Sequence, residues 1–121
     1  MVTALFDTNI LLDNIRGLEA APIELSRYDD RAIGIITKIE VLVGTTPETE
    51  SRERALLAEF ATIPLDDAIA EETARLRRAH RMKLPDAIIW ASARCTGRLL
   101  VSGNTRDFPA GDPGVRHPYV V

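Results

Sequence analysis

The sequence has a single cysteine and no long apolar run. Cys95 stands alone among 121 residues, which excludes an intrachain disulfide and any zinc site built from several cysteines, and it suits a reducing compartment. No apolar stretch approaches the roughly 18 residues that a membrane span requires. The apolar residues at the beginning meet Asp7 too early for the core of a signal peptide. We therefore expect a cytoplasmic protein without a membrane segment.

The sequence also lacks a strong excess of charge of either sign. The formal net charge is −3 at pH 7, so we do not expect a protein that coats nucleic acid through bulk positive potential. The local distribution is uneven, because positions 75–83 carry basic residues and no acid, namely Arg75, Arg77, Arg78, Arg81 and Lys83. Two interpretations of this basic stretch stay open: a solvated helix face, or a surface that meets phosphate groups.

Short apolar runs predict a parallel β-sheet. Val2–Phe6 and Ala32–Ile36 are almost uninterrupted apolar runs, as expected for strands that are buried on both faces. Each run is followed by polar residues and then by helical spacing, which is the strand–turn–helix pattern of α/β folds. Further strands are predicted at Ile63–Leu65, Leu99–Ser102 and Tyr119–Val121, the first of them at an edge because Pro64 has no amide donor.

Helix signals fill the intervals between the predicted strands. Helices are predicted over Glu50–Ala61, from a cap at Asp66 or Asp67 to about His80, and over Pro85–Thr96. In the last of these we expect Trp90 in the core and Cys95 as a small buried apolar residue. Since no repeat or linker interrupts the pattern, residues 1–121 are predicted to form one three-layer α/β/α domain around a central parallel sheet.

Acidic and amide residues follow the predicted strands and helix starts at one edge of the sheet. Asp7 ends the first strand, Glu40 and Asp86 lie in early helical turns, and Asn104 with Asp107 follows a later strand. Ligands of open α/β sheets gather at this carboxyl edge. Carboxylates that converge there repel one another unless a cation lies between them. The pattern therefore predicts a divalent metal site.

The ligand types favour a hard cation. Carboxylate and amide oxygens suit Mg²⁺ or Mn²⁺, which bind through few carboxylates and keep waters for a phosphate substrate. Zinc is disfavoured, because His80 and His117 are not paired at metal-ligand spacing. We expect both histidines to be structural or surface residues.

The same residues also have ordinary structural interpretations. Asp7 could cap the first helix, and Thr37 to Glu40 match the S/T-x-x-E capping box, in which Glu40 would bond back to the Thr37 amide. Asp86 in a first helical turn would interact favourably with the helix dipole. Singly, therefore, none of these residues is evidence of catalysis.

Four blocks of the sequence resemble, in order, the motifs of PIN-domain ribonucleases, in particular the VapC-type toxins of prokaryotic toxin–antitoxin modules. The blocks are Leu5–Asp13, Ile36–Gly44, Leu84–Ile89 and Leu100–Phe108, so the resemblance extends over the whole chain. It implies a PIN-like fold and a metal-dependent endoribonuclease that hydrolyses RNA with a water activated by Mg²⁺ or Mn²⁺.

The resemblance also implies the roles of individual residues. Asp7, Glu40, Asp86 and Asp107 match the acidic metal-binding and catalytic quartet, with Asn104 as the other candidate for the last ligand. Thr8, Asn9, Ser102 and Asn104 are expected to shape the site around these ligands. The basic residues Arg75, Arg77, Arg78, Arg81 and Lys83 would guide RNA phosphates toward the acidic pocket.

The toxin resemblance implies partners as well. A cognate antitoxin and a homodimer are expected, and no membrane. The helices predicted within Ile10–Leu25 and Glu50–Phe60 carry more aliphatic residues than a small sheet covers, which would leave a patch for a partner.

Other α/β families fit less well. A haloacid-dehalogenase-type phosphotransferase needs a second acid where this chain has Asn9, and a response-regulator receiver needs a lysine after the fifth strand, whereas no lysine follows Lys83. The remaining alternative is a non-catalytic α/β binding module that keeps the fold. Metal affinity that is lost in Asp7→Asn would distinguish the nuclease from that module.

Overall fold

The computed structural model describes residues 3–109 and 111–120. Within these residues, strands and helices follow in the order β1 (Thr3–Phe6), α1 (Thr8–Ile15), α2 (Ala20–Leu25), β2 (Asp30–Gly34), α3 (Ile35–Val43), α4 (Glu50–Leu57), β3 (Ala61–Ile63), α5 (Asp67–His80), α6 (Leu84–Cys95), β4 (Leu99–Val101) and β5 (Val115–Arg116). All described strand pairs are parallel, in the order β3-β2-β1-β4-β5. The predicted three-layer α/β/α fold is confirmed.

Each face of the sheet has its own apolar core. Leu5 in β1 packs with residues of α5 and α6, among them Trp90, which is 2% exposed. Its neighbours Ala4 and Phe6 point to the opposite face and pack with residues of α1 to α4. The alternation explains the continuous apolar run, because a strand covered on both faces needs apolar residues at every position.

The central strands end together at one edge. β1 pairs with β2 on one side and with β4 on the other, so the chain leaves the sheet in different directions from adjacent strands. The Asp7 amide continues the ladder by donating to the Val101 carbonyl at 2.9 Å. Such a switch point opens a crevice at the carboxyl ends of the strands, where α/β proteins bind ligands.

Several predicted boundaries are wrong by a few residues. β2 ends at Gly34, and Ile35 and Ile36 begin α3 instead of ending the strand. Pro64 follows the edge strand β3 instead of lying within it. The predicted helix Glu50–Ala61 ends at Leu57.

The predicted last strand is also wrong. β5 is formed by Val115 and Arg116, and Tyr119 and Val120 lie outside any strand. Val121 and Val2, at the ends of predicted strands, lie outside the described residues. Pro118 has no amide with which to continue the ladder with β4, so the strand stops before it.

The expected exposure of two features also differs. Cys95 is exposed, because it lies in the last turn of α6, beyond the buried residues Ala87–Ala93. Ile10, Leu11, Leu25 and Leu57 in α1, α2 and α4 are buried, whereas Ile23 on α2 is exposed. Other large exposed aliphatic residues lie outside the predicted patch, namely Ile39 and Val43 on α3, Leu65 and Leu84. In the part of the chain that the structure describes, no helix is both long and apolar enough to cross a membrane.

Candidate active site

Asp7 is the buried centre of the site. It directly follows β1, caps α1 and is only 4% exposed. Its Oδ1 accepts from the Thr8 amide at 2.8 Å, and its Oδ2 accepts from Ser102 Oγ at 2.7 Å and from Asn9 Nδ2 at 3.2 Å. Burial raises the pKa of the Asp7 carboxyl, and the Glu40 charge raises it further against these hydrogen bonds.

Asn9 and Ser102 join the ends of β1 and β4. Asn9 Oδ1 accepts from the Gly103 amide at 3.0 Å, and Ser102 Oγ accepts from the Asn104 amide at 3.0 Å. Ser102 is fully buried, so its hydroxyl has a fixed place between Asp7 and the loop after β4. The two side chains therefore hold this loop against the Asp7 carboxylate.

The Glu40 side chain is held by a hydrogen bond from helix α1 and not by a backbone amide at the start of its own helix, α3. Thr8 Oγ1 donates to Glu40 Oε1 at 2.6 Å and lies 2.9 Å from Thr37 Oγ1. A threonine hydroxyl has one proton. Since Thr8 donates its proton to Glu40, Thr37 must donate to Thr8.

The predicted capping box is therefore wrong. The residue that caps α3 is Gly34, so Thr37 lies inside the first turn, where it is fully buried. Its hydroxyl makes the contact with Thr8 instead of capping the helix. Glu40 itself is exposed and reaches the rim of the site through Thr8.

Asp86 lies in the first turn of α6 and is half-buried. Its pKa is raised to about 6, chiefly by burial and further by the charges of Asp7 and Asp107 and a hydrogen bond with Asp107, whereas Lys83 lowers it. These effects fall off with distance, so they locate the three carboxyl groups at one rim.

Asp107 is positioned by Asn104. Asn104 Nδ2 donates to Asp107 Oδ2 at 2.8 Å, while Asn104 Oδ1 accepts from the amides of Arg106 and Asp107, each at 3.2 Å. The amide oxygen is thus engaged in the turn. Asn104 and Asp107 are the two candidates for the last metal ligand, and Asp107 has carboxylate lone pairs that no hydrogen bond of this turn uses.

The basic stretch separates into two parts. Arg75 donates to Glu72, so the positive charge of Arg75 is paired locally. Glu72 also accepts from Arg94. Arg77, Arg78 and Arg81 line a cavity of about 430 Å³, with Arg77 Nε donating to the Met82 carbonyl at 3.0 Å. Among the described residues, no salt bridge involves Arg78, Arg81 or Lys83.

The carboxylates do not form a closed metal cage. Among residues 3–109 and 111–120, no group of three or more His, Cys, Asp and Glu side chains is arranged to hold a metal ion. The donor chemistry nevertheless fits Mg²⁺ or Mn²⁺, which are typically bound by one or two carboxylates and several waters. The charges of Asp7 and Asp107 add to the effect of burial in raising the pKa of Asp86, so an ionised Asp86 has other negative charges near it.

Two contacts at this edge involve residues that the sequence patterns did not assign to the site. Thr37 contacts Thr8, and His117 contacts the carbonyls of Ser102 and Phe108. Each partner is distant along the chain and belongs to another element. No local spacing could have revealed these contacts.

Comparison with known proteins agrees with this geometry. A family model described as the PIN domain matches residues 4–111. No curated protein is significantly similar to the chain.

Solved structures cover almost the whole chain. A toxin–antitoxin complex from Klebsiella pneumoniae contains a chain that is 43% identical, with a TM-score of 0.93 over 98% of this chain and 100% of that one. A DNA-bound VapBC from Salmonella typhimurium is similar at 22% identity and a TM-score of 0.77, covering 96% of each chain. VapBC-5 from Mycobacterium tuberculosis is similar at 26% identity and a TM-score of 0.68, covering 96% of this chain and 97% of that chain. The chain therefore belongs to the PIN-domain family, and the predicted resemblance to VapC-type toxins is confirmed.

Proposed function

We propose that this protein is a cytoplasmic Mg²⁺- or Mn²⁺-dependent endoribonuclease and the toxin of a toxin–antitoxin module, with residues 1–121 forming its single nuclease domain. PIN domains are typically nucleases and generally use divalent metal ions. The observation that carries the proposal is that Asp86 lies near Asp7 and Asp107 in a partly buried rim, where burial first and then the charges of these two carboxylates raise the Asp86 pKa to about 6. Folded proteins rarely crowd carboxylates without a cationic partner unless the cluster has a function.

Asp7, Asp86 and Asp107 would hold the cation, and Glu40 would add a ligand or orient the attacking water. When bound, a divalent cation supplies positive charge for the attacked phosphate and activates water for hydrolysis. Ser102 and Asn9 fix Asp7 through their hydrogen bonds. Such fixation keeps the carboxylate in place when ligands exchange.

Other residues of the site have positioning roles in this proposal. Thr8 orients Glu40, and Asn104 orients Asp107. Neither contact requires a metal, so the side chains are arranged before a ligand arrives. Preorganisation of this kind lowers the reorganisation that accompanies catalysis.

The basic stretch would meet the RNA backbone. Arg77, Arg78 and Arg81 border one cavity, and Lys83 is close enough to Asp86 to lower its pKa. They form a basic route from α5 to the acidic rim, on which phosphates would be attracted despite the carboxylates. Arg75 was also predicted to guide RNA, but its pairing with Glu72 makes it the weakest candidate.

A cognate antitoxin and a second copy of the chain are the proposed protein partners. The 43% identical chain comes from a toxin–antitoxin complex, which supports an antitoxin. Surface between α1–α2 and α4 would accept it, because Ile15 and Leu56 line one groove there, and Pro22 and Leu25 line another. An arginine inserted from the antitoxin could pair with the acidic rim and oppose metal binding.

RNA cleavage with a matched pair of variants tests the proposed activity. Purified protein freed of antitoxin is incubated with total RNA and with short synthetic RNAs, with Mg²⁺, Mn²⁺ or excess chelator. We expect cleavage with either metal, loss with chelator, and loss in Asp86→Asn. Asp67→Asn is the control, because Asp67 also lies in the first turn of a helix but is exposed on α5.

The outcomes separate the proposal from its alternative. Cleavage that persists in chelator would contradict metal dependence. Metal binding without cleavage of any RNA would instead favour a non-catalytic binding module of the same fold. Equal loss in both variants would show a general effect of the substitution and not a role for Asp86.

A further inference from the structure

His117 contacts both ends of the loop that carries Asp107. Its Nδ1 lies 2.7 Å from the Ser102 carbonyl oxygen, and its Nε2 lies 3.1 Å from the Phe108 carbonyl oxygen. Ser102 and Phe108 are both fully buried. Because a carbonyl oxygen only accepts, a ring nitrogen that carries a hydrogen donates to the carbonyl that it faces.

The contact with Ser102 replaces a missing backbone hydrogen bond. The amides of Leu100 and Ser102 donate to the carbonyls of Gly114 and Arg116. In this parallel ladder the Ser102 carbonyl should accept from the amide of residue 118. That residue is Pro118, which has no amide hydrogen. The His117 ring supplies the donor that the backbone lacks.

The segment around His117 is itself anchored. Arg116 donates to Glu24 through Nε at 2.7 Å and through Nη2 at 3.1 Å, and the Tyr119 hydroxyl donates to Asp13 Oδ2 at 2.9 Å. Glu24 is only 4% exposed. The ring therefore projects from a fixed support, and its two contacts can restrain the loop.

We propose that His117 is a positioning residue that fixes the loop 103–107 and, through it, Asp107 at the acidic rim. The inference rests on the proposed function for its effect on cleavage, but the restraint of the loop follows from the contacts alone. At one end, the ring holds Ser102, whose hydroxyl donates to Asp7. At the other end, it holds Phe108, the residue after Asp107.

Amide hydrogen exchange in the loop tests the restraint directly. Gly103, Asn104, Asp107 and Phe108 all donate amide hydrogen bonds within or next to the loop, so their exchange rates report its opening. In His117→Phe, which keeps a ring but has no donor, we expect their exchange to be at least roughly 10-fold faster. We expect kcat for RNA to fall by roughly 10- to 100-fold, the usual effect of losing a residue that orients a metal ligand, with a smaller change in KM.

Two variants with amide side chains test the two contacts of His117 separately. Asparagine places its amide nitrogen where His117 has Nδ1, and glutamine places it where the ring has Nε2. His117→Asn should therefore protect Gly103 and Asn104 more than Asp107 and Phe108, and His117→Gln should do the reverse. Both should retain more activity than His117→Phe. If His117→Phe does not fold, this opposite pattern in the two amide variants decides the question.

His80→Phe is the matched control. His80 is exposed, and its ring lies 5.0 Å from the ring of Trp90, a contact between rings that phenylalanine keeps. Loop exchange and kcat in His117→Phe that match those of His80→Phe would overturn the proposal. So would a lower melting temperature with unchanged exchange in the loop, which is the result expected of a merely structural residue. If the wild-type protein cleaves no RNA, the proposed function fails, but the exchange data still decide the role of His117.

Discussion

Replacing Asp86 by asparagine should stabilise the metal-free protein at neutral pH. The pKa of Asp86 rises from 3.8 to about 6, first through burial and then through the charges of Asp7 and Asp107. A carboxyl group with a raised pKa in the folded state destabilises that state once it is ionised. This loss of stability is absent below pH 3.8, develops between pH 3.8 and about pH 6, and is complete above about pH 6.

The magnitude follows from the two pKa values. Their difference corresponds to an upper limit of about 3 kcal/mol, which solvent screening of a half-buried group reduces to roughly 1–2 kcal/mol. Asp86 also lies in a first helical turn, where an acid contributes about 0.3–1 kcal/mol through the helix dipole. The penalty is the larger effect, so Asp86→Asn should stabilise the protein by about 1 kcal/mol, or roughly 3–5 °C in Tm for a domain of this size.

Thermal and urea unfolding in chelator at pH 7 and pH 4 measures this effect. The stabilisation should be present at pH 7 and mostly lost at pH 4. Added Mg²⁺ should raise the Tm of the wild-type protein more than that of Asp86→Asn, because a ligand stabilises the state that binds it. In the control Asp67→Asn, the exposed first-turn acid is removed without a crowded site, so a small destabilisation is expected.

One result would refute the reasoning. If Asp86→Asn destabilised the protein equally at pH 7 and pH 4, as a lost structural contact would, the carboxylates would not be electrostatically crowded. The main support for the metal site would then be gone. Destabilisation only at pH 7 would mean that the helix dipole outweighs the repulsion.

Four further expectations can be checked separately. Thr8→Val should weaken Mn²⁺ affinity and cleavage by roughly 10-fold or more, with recovery in Thr8→Ser; equal losses in both variants would contradict a role for the hydroxyl. Calorimetric titration and cleavage assays should show a larger loss of metal affinity and turnover in Asp107→Asn than in Asn104→Ala, and the reverse order would move the last ligand to Asn104. Arg78→Glu should raise KM for RNA and reduce the salt dependence of binding, whereas Arg75→Glu should change both less; equal effects would contradict the division of the basic stretch. Light scattering at micromolar concentration should report about twice the chain mass, and a monodisperse monomer would refute the dimer.

The sheet could be predicted because its central strands are buried on both faces. The run that ends at Phe6 has the pattern of a buried strand because Leu5 faces one core and its neighbours Ala4 and Phe6 face the other. The end of β2 could not be located in this way, because Ile35 and Ile36 are apolar residues that suit a strand and a helix equally well. The position of β5 was missed for a different reason: Tyr119 and Val120 have high strand propensity, but Pro118 interrupts the ladder before them.

The acidic residues could be predicted because strand ends and helix starts leave clear signals in the sequence. Asp7 follows an apolar run, and Asp86 follows a proline at a helix start, so these local patterns suffice to place both residues at the carboxyl edge. The residues that position the site could not be predicted, since His117 meets Ser102 only after β5 has paired with β4. Their contacts depend on topology and not on spacing.

The misplaced end of β2 also explains why Glu40 had two competing interpretations. If α3 began at Thr37, that residue would be the cap, and Glu40 could bond back to its amide as in a capping box. Because the helix begins at Ile35 with Gly34 as its cap, Thr37 lies in the first turn, and its buried hydroxyl is free to donate to Thr8. Thr8 then donates its own proton to Glu40. The assignment of Glu40 to helix capping or to the acidic rim thus depended on a boundary shift of a few residues, which the apolar pattern around Ile35 could not resolve.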